Sequence, residues 1–241
     1  MNNLDILLVV PPKQDYLEDK NVGKYEYLGI GYLLSNLKEE NKKASGFIDC
    51  YNYSYDLNYI VSKVMEFNPK ILGITVSFSN SIYSTIEMIK ALRDSGYRGH
   101  ITVGGHGAAS CKEKLLNKLD INSICLCEGE QCFSEFVSKF LSGEDYYHIN
   151  GYWFKINGKI IKNPKIQLCH NLDELQFPVR TNIITGNTLY QDFPSDAIFT
   201  IITSRGCPYN CSFCDIKSFY SNSKGTSWRM RSAKNIVDEI E

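Results

Sequence analysis

The stretch Ile71-Leu-Gly-Ile-Thr-Val76, followed by a stripe of Ile82, Ile86, Ile89 and Leu92 and then by Ile101-Thr-Val103-Gly104-Gly105-His106-Gly107, reads as one strand–helix–strand unit. The two apolar runs are short and rich in β-branched residues, which suits strands buried on both faces. Between them the apolar residues recur every three or four positions, the period of a helix with one buried side, and Gly96 ends it. Glycines directly after the second run let the chain turn sharply from strand into helix.

The same alternation extends in both directions. Upstream, Leu4–Val10 reads as a buried strand stopped by Pro11-Pro12, and Ile30, Leu33, Leu34 and Leu37 follow at helical spacing. A weaker strand over Ser45–Cys50 precedes a helix with Leu57, Ile60, Val61, Val64 and Met65 on one face. Downstream, Leu115, Leu116 and Leu119 suggest a short helix, Ile121–Leu126 a fifth strand, and Phe133, Phe136, Val137, Phe140 and Leu141 a fifth helix. Strands separated by helices predict an α/β domain over residues 1–145, a flavodoxin-like (Rossmann-like), doubly wound parallel sheet. Ligands of such sheets sit beyond the carboxyl ends of the strands, where the strand order reverses.

After residue 148 the pattern changes. Tyr152–Ile156, Asn157-Gly158 and Lys159–Ile161 form a hairpin signal, because Asn-Gly suits the positive φ of a tight turn. Pro164, Pro178 and Pro194 punctuate an irregular stretch, so residues 146–196 are expected to be a hairpin and linker. Ala197–Thr203 reads as a new strand opening a third segment, 197–241.

A net charge of −1 offers no basic footprint for nucleic acid. No apolar run approaches the ~20 residues of a membrane helix, and no signal peptide core is present, so a cytoplasmic protein without membrane partners is expected. Nine cysteines then argue for thiols or metal ligands rather than disulfides. Cys50, Cys111, Cys125, Cys127, Cys132 and Cys169 are scattered and expected to pack as small apolar residues. Cys207, Cys211 and Cys214 crowd into Cys207-Pro-Tyr-Asn-Cys211-Ser-Phe-Cys214. Thiolates so spaced can wrap one face of an iron–sulfur cluster and leave one iron open. A structural zinc, with Cys169 or His170 as fourth ligand, and three incidental thiols are the competing readings.

The C-x3-C-x2-C spacing with Phe213 before the last cysteine resembles the signature of radical S-adenosylmethionine (radical SAM) enzymes. The resemblance implies a 4Fe-4S cluster on Cys207, Cys211 and Cys214, with S-adenosylmethionine on the open iron and its adenine beside Phe213. It implies cleavage of S-adenosylmethionine to a 5′-deoxyadenosyl radical, with a flavodoxin or ferredoxin as electron donor. The strand at 197–203 would then open a (β/α) barrel that is incomplete within this chain, whose full form takes ~250 residues. A lone barrel strand exposes unpaired edges, so the chain is expected to be a fragment, inactive alone and poorly ordered after about residue 215.

Val9-Val10-Pro11-Pro12, Tyr27-Leu-Gly-Ile-Gly-Tyr-Leu33, Gly104-Gly105-His106 and Glu128-Gly-Glu130 resemble, in order, the cobalamin-binding domain fused to such barrels. That family includes methyltransferases of unactivated carbons and the anaerobic magnesium-protoporphyrin monoester cyclase. The resemblance implies cobalamin held by Ser77, Ser79, Gly104, Gly105, His106, Gly107, Glu128, Gly129 and Glu130. Taken alone, Gly104, Gly105 and Gly129 fit any tight turn in a doubly wound domain. No histidine follows the D-x-H-x-x-G pattern of an axial cobalt ligand, and His106 is a binding candidate only. Arg229 and Arg231 are expected to face solvent. The expected function is methyl transfer or carbon–carbon bond formation on an unidentified small molecule or peptide. The rivals are a non-catalytic cobalamin-binding module and a zinc-stabilised regulatory protein.

Overall fold

The computed structural model describes residues 4–12, 26–77, 81–180 and 200–241. Its centre is a seven-stranded sheet of β1 (Ile6–Val10), β2 (Ser45–Asp49), β3 (Ile71–Thr75), β4 (His100–Gly104), β5 (Ser123–Cys125), β6 (Tyr152–Ile156) and β7 (Lys159–Lys162), ordered β2-β1-β3-β4-β5-β6-β7. The first five strands pair in parallel. That 2-1-3-4-5 order is the flavodoxin-like one, with its switch point between β1 and β3. The hairpin, read from sequence as part of the connecting segment, adds β6 and β7 antiparallel to the β5 edge. Its turn has φ of 49° at Asn157 and 77° at Gly158, the geometry that Asn-Gly tolerates.

The helices of the sheet are α1 (Leu28–Ser35), α2 (Glu39–Lys42), α3 (Cys50–Tyr53), α4 (Leu57–Phe67), α5 (Ser81–Asp94), α6 (His106–Lys118) and α7 (Glu130–Ser142). Alternation along β1 explains the two layers. Leu7 and Val9 pack with Ile60, Val64, Met88, Leu92 and Leu116 of α4, α5 and α6. Ile6, Leu8 and Val10 pack with Ile30 and Leu34 of α1 and Phe133, Phe136 and Val137 of α7. One helix departs from expectation. The short helix read around Leu115 is a 13-residue α6 that begins at His106, because Gly105, at φ 96°, turns β4 straight into it. Met65, expected on the buried face of α4, is exposed. Among the described residues no helix is long and apolar enough to cross a membrane.

The remaining elements are β8 (Ile166–Gln167), a short 3-10 turn at Leu172–Glu174, β9 (Ser204–Arg205), α8 (Ile216–Tyr220), β10 (Ser223–Lys224), β11 (Arg229–Met230) and α9 (Ala233–Ile240). Residues 197–199 of the strand expected over 197–203 lie outside the described residues, and regular pairing begins at Ser204. The segment after residue 215, expected to be poorly ordered, is packed. β10 pairs with β8, β11 with β9, and Phe219 is buried. Ser232 caps α9 by accepting from the Asn235 amide, while its own amide donates to Asp173 at 2.9 Å. The unpaired edges anticipated for a lone strand thus find partners in the linker and in the chain's own return.

Candidate functional site

A cavity of about 400 Å³ opens at the carboxyl ends of β3, β4 and β5. Its floor is the sheet and the turns leaving it, where Ser77, Gly104, Gly105 and His106 line the wall. The β3 and β4 turns are locked to each other, since Val76 N–H donates to Gly104 O and Gly107 N–H donates to Val76 O. A Cβ on Gly105 would come within 2.8 Å of the Val76 carbonyl oxygen, and its φ of 96° disfavours any side chain. Glycine is therefore required there by the fold. Two helix N-termini border the cavity without a side-chain cap, α6 after Gly105 and α7 after Gly129. Apart from the Gly107 amide, which Val76 O already accepts, their first amides leave the positive end of each helix for an anionic or amide oxygen.

The opposite wall belongs to the segment that carries the cysteines. Ser204, Arg205 and Gly206 line the same cavity, as do Ile216, Phe219 and Tyr220 of α8. Buried charge holds the two walls together. Arg205 pairs with Glu130 at 2.7 Å and with Glu128 at 3.5 Å. Arg229 grips both oxygens of Glu128, and the Tyr220 hydroxyl donates to the same carboxylate at 2.9 Å. Burial pulls the Arg205 guanidinium down, but the Glu130 and Glu128 carboxylates outweigh it and its pKa rises. His106 stacks on Phe219 with ring centroids 3.9 Å apart, and burial lowers its pKa toward the neutral form.

Each site residue expected from the sequence now has a place. Ser77 lines the cavity and shares a 3.2 Å hydrogen bond with Thr75. Gly104, Gly105, His106, Glu128, Gly129 and Glu130 also line it, whereas Gly107 is buried in the first turn of α6. Ser79 lies outside the described residues. The cysteine loop follows Gly206 and stands open: Cys211 is exposed and Phe213 is 91% exposed. Among the described residues the sulfurs of Cys207, Cys211 and Cys214 do not converge on one point, as ligands of a single zinc ion would. Thiolates that each bind a different iron of a cluster have no such need.

No protein-family model matches the chain. It is 28% identical, over 100% of its own length and 50% of the relative's, to an uncharacterized methyltransferase of Pyrococcus horikoshii. It is 25% identical to the anaerobic magnesium-protoporphyrin IX monomethyl ester cyclase of Rubrivivax gelatinosus, over 91% of this chain and 39% of that one. Among solved structures, the radical S-adenosylmethionine methyltransferase TsrM from Kitasatospora setae, with cobalamin and a 4Fe-4S cluster bound, matches with a TM-score of 0.75 at 19% identity. That match covers 100% of this chain and 45% of TsrM. The cobalamin-dependent S-adenosylmethionine radical enzyme OxsB matches with a TM-score of 0.71 at 21% identity, over 98% of this chain and 31% of OxsB. The chain shares the fold of these two cobalamin-dependent radical SAM enzymes and is similar in sequence to methyltransferases and cyclases.

The likeness runs through the α/β sheet and on into the cysteine loop, and the chain spans half or less of the length of these relatives. Within that frame, sequence reasoning missed the residues that join the two parts. Arg229 and Arg231, expected to face solvent, are buried, paired with Glu128 and with Glu239 of α9. Arg205 was not singled out at all, although it sits two residues before Cys207 and lies over the Tyr32 ring at 4.8 Å. The available signal was Arg205 beside the cysteine motif and the Arg229-Met-Arg231 pair after it, against a Glu-Gly-Glu turn more than 70 residues away. Cys125, Cys127 and Cys132 are buried as expected, but their sulfurs lie within 4.8 Å of one another, a gathering that simple packing does not require.

Proposed function

We propose that the chain is the cobalamin- and cluster-binding part of a radical SAM enzyme that transfers a methyl group or forms a carbon–carbon bond. The observation that carries this reading is the shared cavity. Its floor is the crevice of a doubly wound sheet, and its roof is the base of the Cys207–Cys214 loop, fastened by Glu128 and Glu130 to Arg205 and Arg229. Cobalamin fits the floor. The N-termini of α6 and α7, together with Ser77 and the Gly104–His106 turn, would hold amide or phosphate oxygens of its tail. The cluster would sit on the three thiols of one loop, of which Cys211 is exposed and Cys207 and Cys214 half-buried, with Phe213 exposed beside them for an adenine. When bound, these groups supply a reductively generated radical and a methyl carrier. The chain's own residues orient them, exclude water from the cavity, and keep loop and sheet in register. The partner that the reading requires is an electron donor such as flavodoxin or ferredoxin, together with a small-molecule or peptide substrate.

Two experiments test the two halves separately. Replacing Cys207, Cys211 and Cys214 with alanine is expected to abolish iron uptake on anaerobic reconstitution while far-UV circular dichroism stays unchanged. Iron retained at the unaltered stoichiometry would sink the cluster assignment. For the floor, Gly105→Ala forces a side chain into a φ of 96° against the Val76 carbonyl, a strain on the order of 1–3 kcal/mol. Part of it is relieved by shifting the turn, so cobalamin binding, followed by visible absorbance, is expected to weaken about tenfold or more. Equal affinity in the two folded chains would remove this turn from the site.

A further inference from the structure

A second thiol site lies behind the cavity, unconnected with the cysteine loop. Cys125 ends β5, Cys127 follows in the turn, and Cys132 sits in the first turn of α7. The path of the chain from strand to helix folds Cys125-Leu-Cys127-Glu-Gly-Glu-Gln-Cys132 back on itself. All three sulfurs lie within 4.8 Å of one another, and Cys125 Sγ is 3.5 Å from Cys132 Sγ. Sulfurs held about 2.3 Å from one tetrahedral ion stand about 3.8 Å apart, so shifts of about 1 Å or less, within reach of a χ1 adjustment, would seat one.

We propose that Cys125, Cys127 and Cys132 bind a thiophilic divalent ion of the zinc class, with the fourth position turned toward the cavity. Cys125 and Cys127 line that cavity while Cys132 is fully buried, so an ion would enter and meet its fourth ligand from the cavity. Three thiolates on such an ion carry one net negative charge. Their position at the start of α7, a 13-residue helix, offsets it with the positive end of the helix. The balance is simple: the ion replaces three thiol protons, which leave through the cavity, and no electron moves. Soft sulfur donors select zinc-like ions over magnesium or calcium. Among the described residues no histidine or carboxylate joins the trio, which distinguishes the site from a closed four-ligand structural zinc. The proposal does not rest on the cofactor reading, because none of its three ligands belongs to the Cys207–Cys214 loop, although the open position faces the cavity assigned to cobalamin.

The test uses the full 241-residue chain, kept anaerobic and reduced, with C207A/C211A/C214A removing the competing thiols. This chain is expected to take up one Zn2+ per molecule, and Co2+ used in its place to show sulfur-to-metal charge-transfer absorbance. Adding C132A is expected to weaken Zn2+ binding by more than the about 100-fold that loss of an outer-shell partner costs, with the circular dichroism preserved. No zinc uptake by the folded triple variant overturns the proposal. So does a Cys125–Cys132 disulfide recovered by mass spectrometry under the same reducing conditions. If the triple variant fails to fold, the unaltered chain is reconstituted with iron and sulfide and then given Zn2+. One zinc per chain, lost in C132A, supports the site, and none overturns it. Failure here leaves the cluster and cobalamin tests unaffected, since those read iron and cobalamin absorbance.

Discussion

Glu128→Ala is expected to lower the stability of the chain by about 3–5 kcal/mol, the cost of leaving a buried charge without its partner. The Glu128 side chain is 11% exposed and receives Arg229, Arg205 and the Tyr220 hydroxyl. Arg205 keeps Glu130 when Glu128 is removed, but Arg229, only 4% exposed, keeps just carbonyl partners such as Cys169 O. The damage is therefore local to the joint between sheet and cysteine loop. Limited proteolysis is expected to cut faster after residue 200, while the core of β1 to β5 stays protected from amide exchange. Glu128→Gln, which keeps the shape and some hydrogen bonds but not the charge, is expected to fall between the two chains. Urea unfolding measures the size of the effect. A loss below about 1 kcal/mol, the worth of an exposed ion pair, would show that the joint is held by something other than this carboxylate.

Acidification is expected to destabilise the chain through His100, and one substitution should remove that part of the slope. His100 opens β4, faces Phe136, Phe140, Tyr146 and Phe154, and shares a 2.8 Å hydrogen bond with Ser123 Oγ. Burial first, and the charge of Arg93 second, push its pKa from the ordinary 6.5 down to about 3. Between those two values the unfolded chain binds a proton at this residue that the folded chain refuses. Stability conferred by the neutral ring is thus complete above about pH 6.5 and is lost as pH falls toward about 3. The slope approaches about 1.4 kcal/mol per pH unit across that window. Unfolding midpoints at pH 7, 6, 5 and 4 measure it. In His100→Gln, which preserves a partner for Ser123 and cannot titrate, the curve should be flatter by that amount even if its absolute stability is lower. Parallel curves for the two proteins would show that His100 is not the group responsible.

Much of this was legible before any coordinates. The apolar runs at Leu4–Val10, Ile71–Val76 and Ile101–Val103 are strands, and the stripes in α1, α4, α5 and α7 are helices, because burial on both faces of a sheet leaves a periodic record. The Asn157-Gly158 turn was equally plain. The length of α6 was not. His106-Gly-Ala-Ala-Ser110 has few large apolar residues, and small ones pack closely without making a stripe. The candidate site divided in the same way. Gly104, Gly105 and the three clustered cysteines stood out because turns and cluster ligands act over a few residues. Arg229 and Arg231 were misread because an arginine in isolation looks solvated, and only a buried carboxylate elsewhere in the chain reverses that.

By itself, then, the sequence determined the local grammar of this protein: its strands and helices, its hairpin turn, the glycine turn before α6, and the C-x3-C-x2-C loop. Each depends on backbone geometry or spacing within a few residues. Tertiary structure alone decided that the hairpin closes the sheet edge at β5 and that Glu128 clasps Arg229 across 101 positions. It also decided that Cys125, Cys127 and Cys132 meet behind the cavity. These are pairings between groups whose separation along the chain carries no periodic signal. Their energies come from burying charge and sulfur together, and that burial exists only once the sheet has brought the partners to the same place.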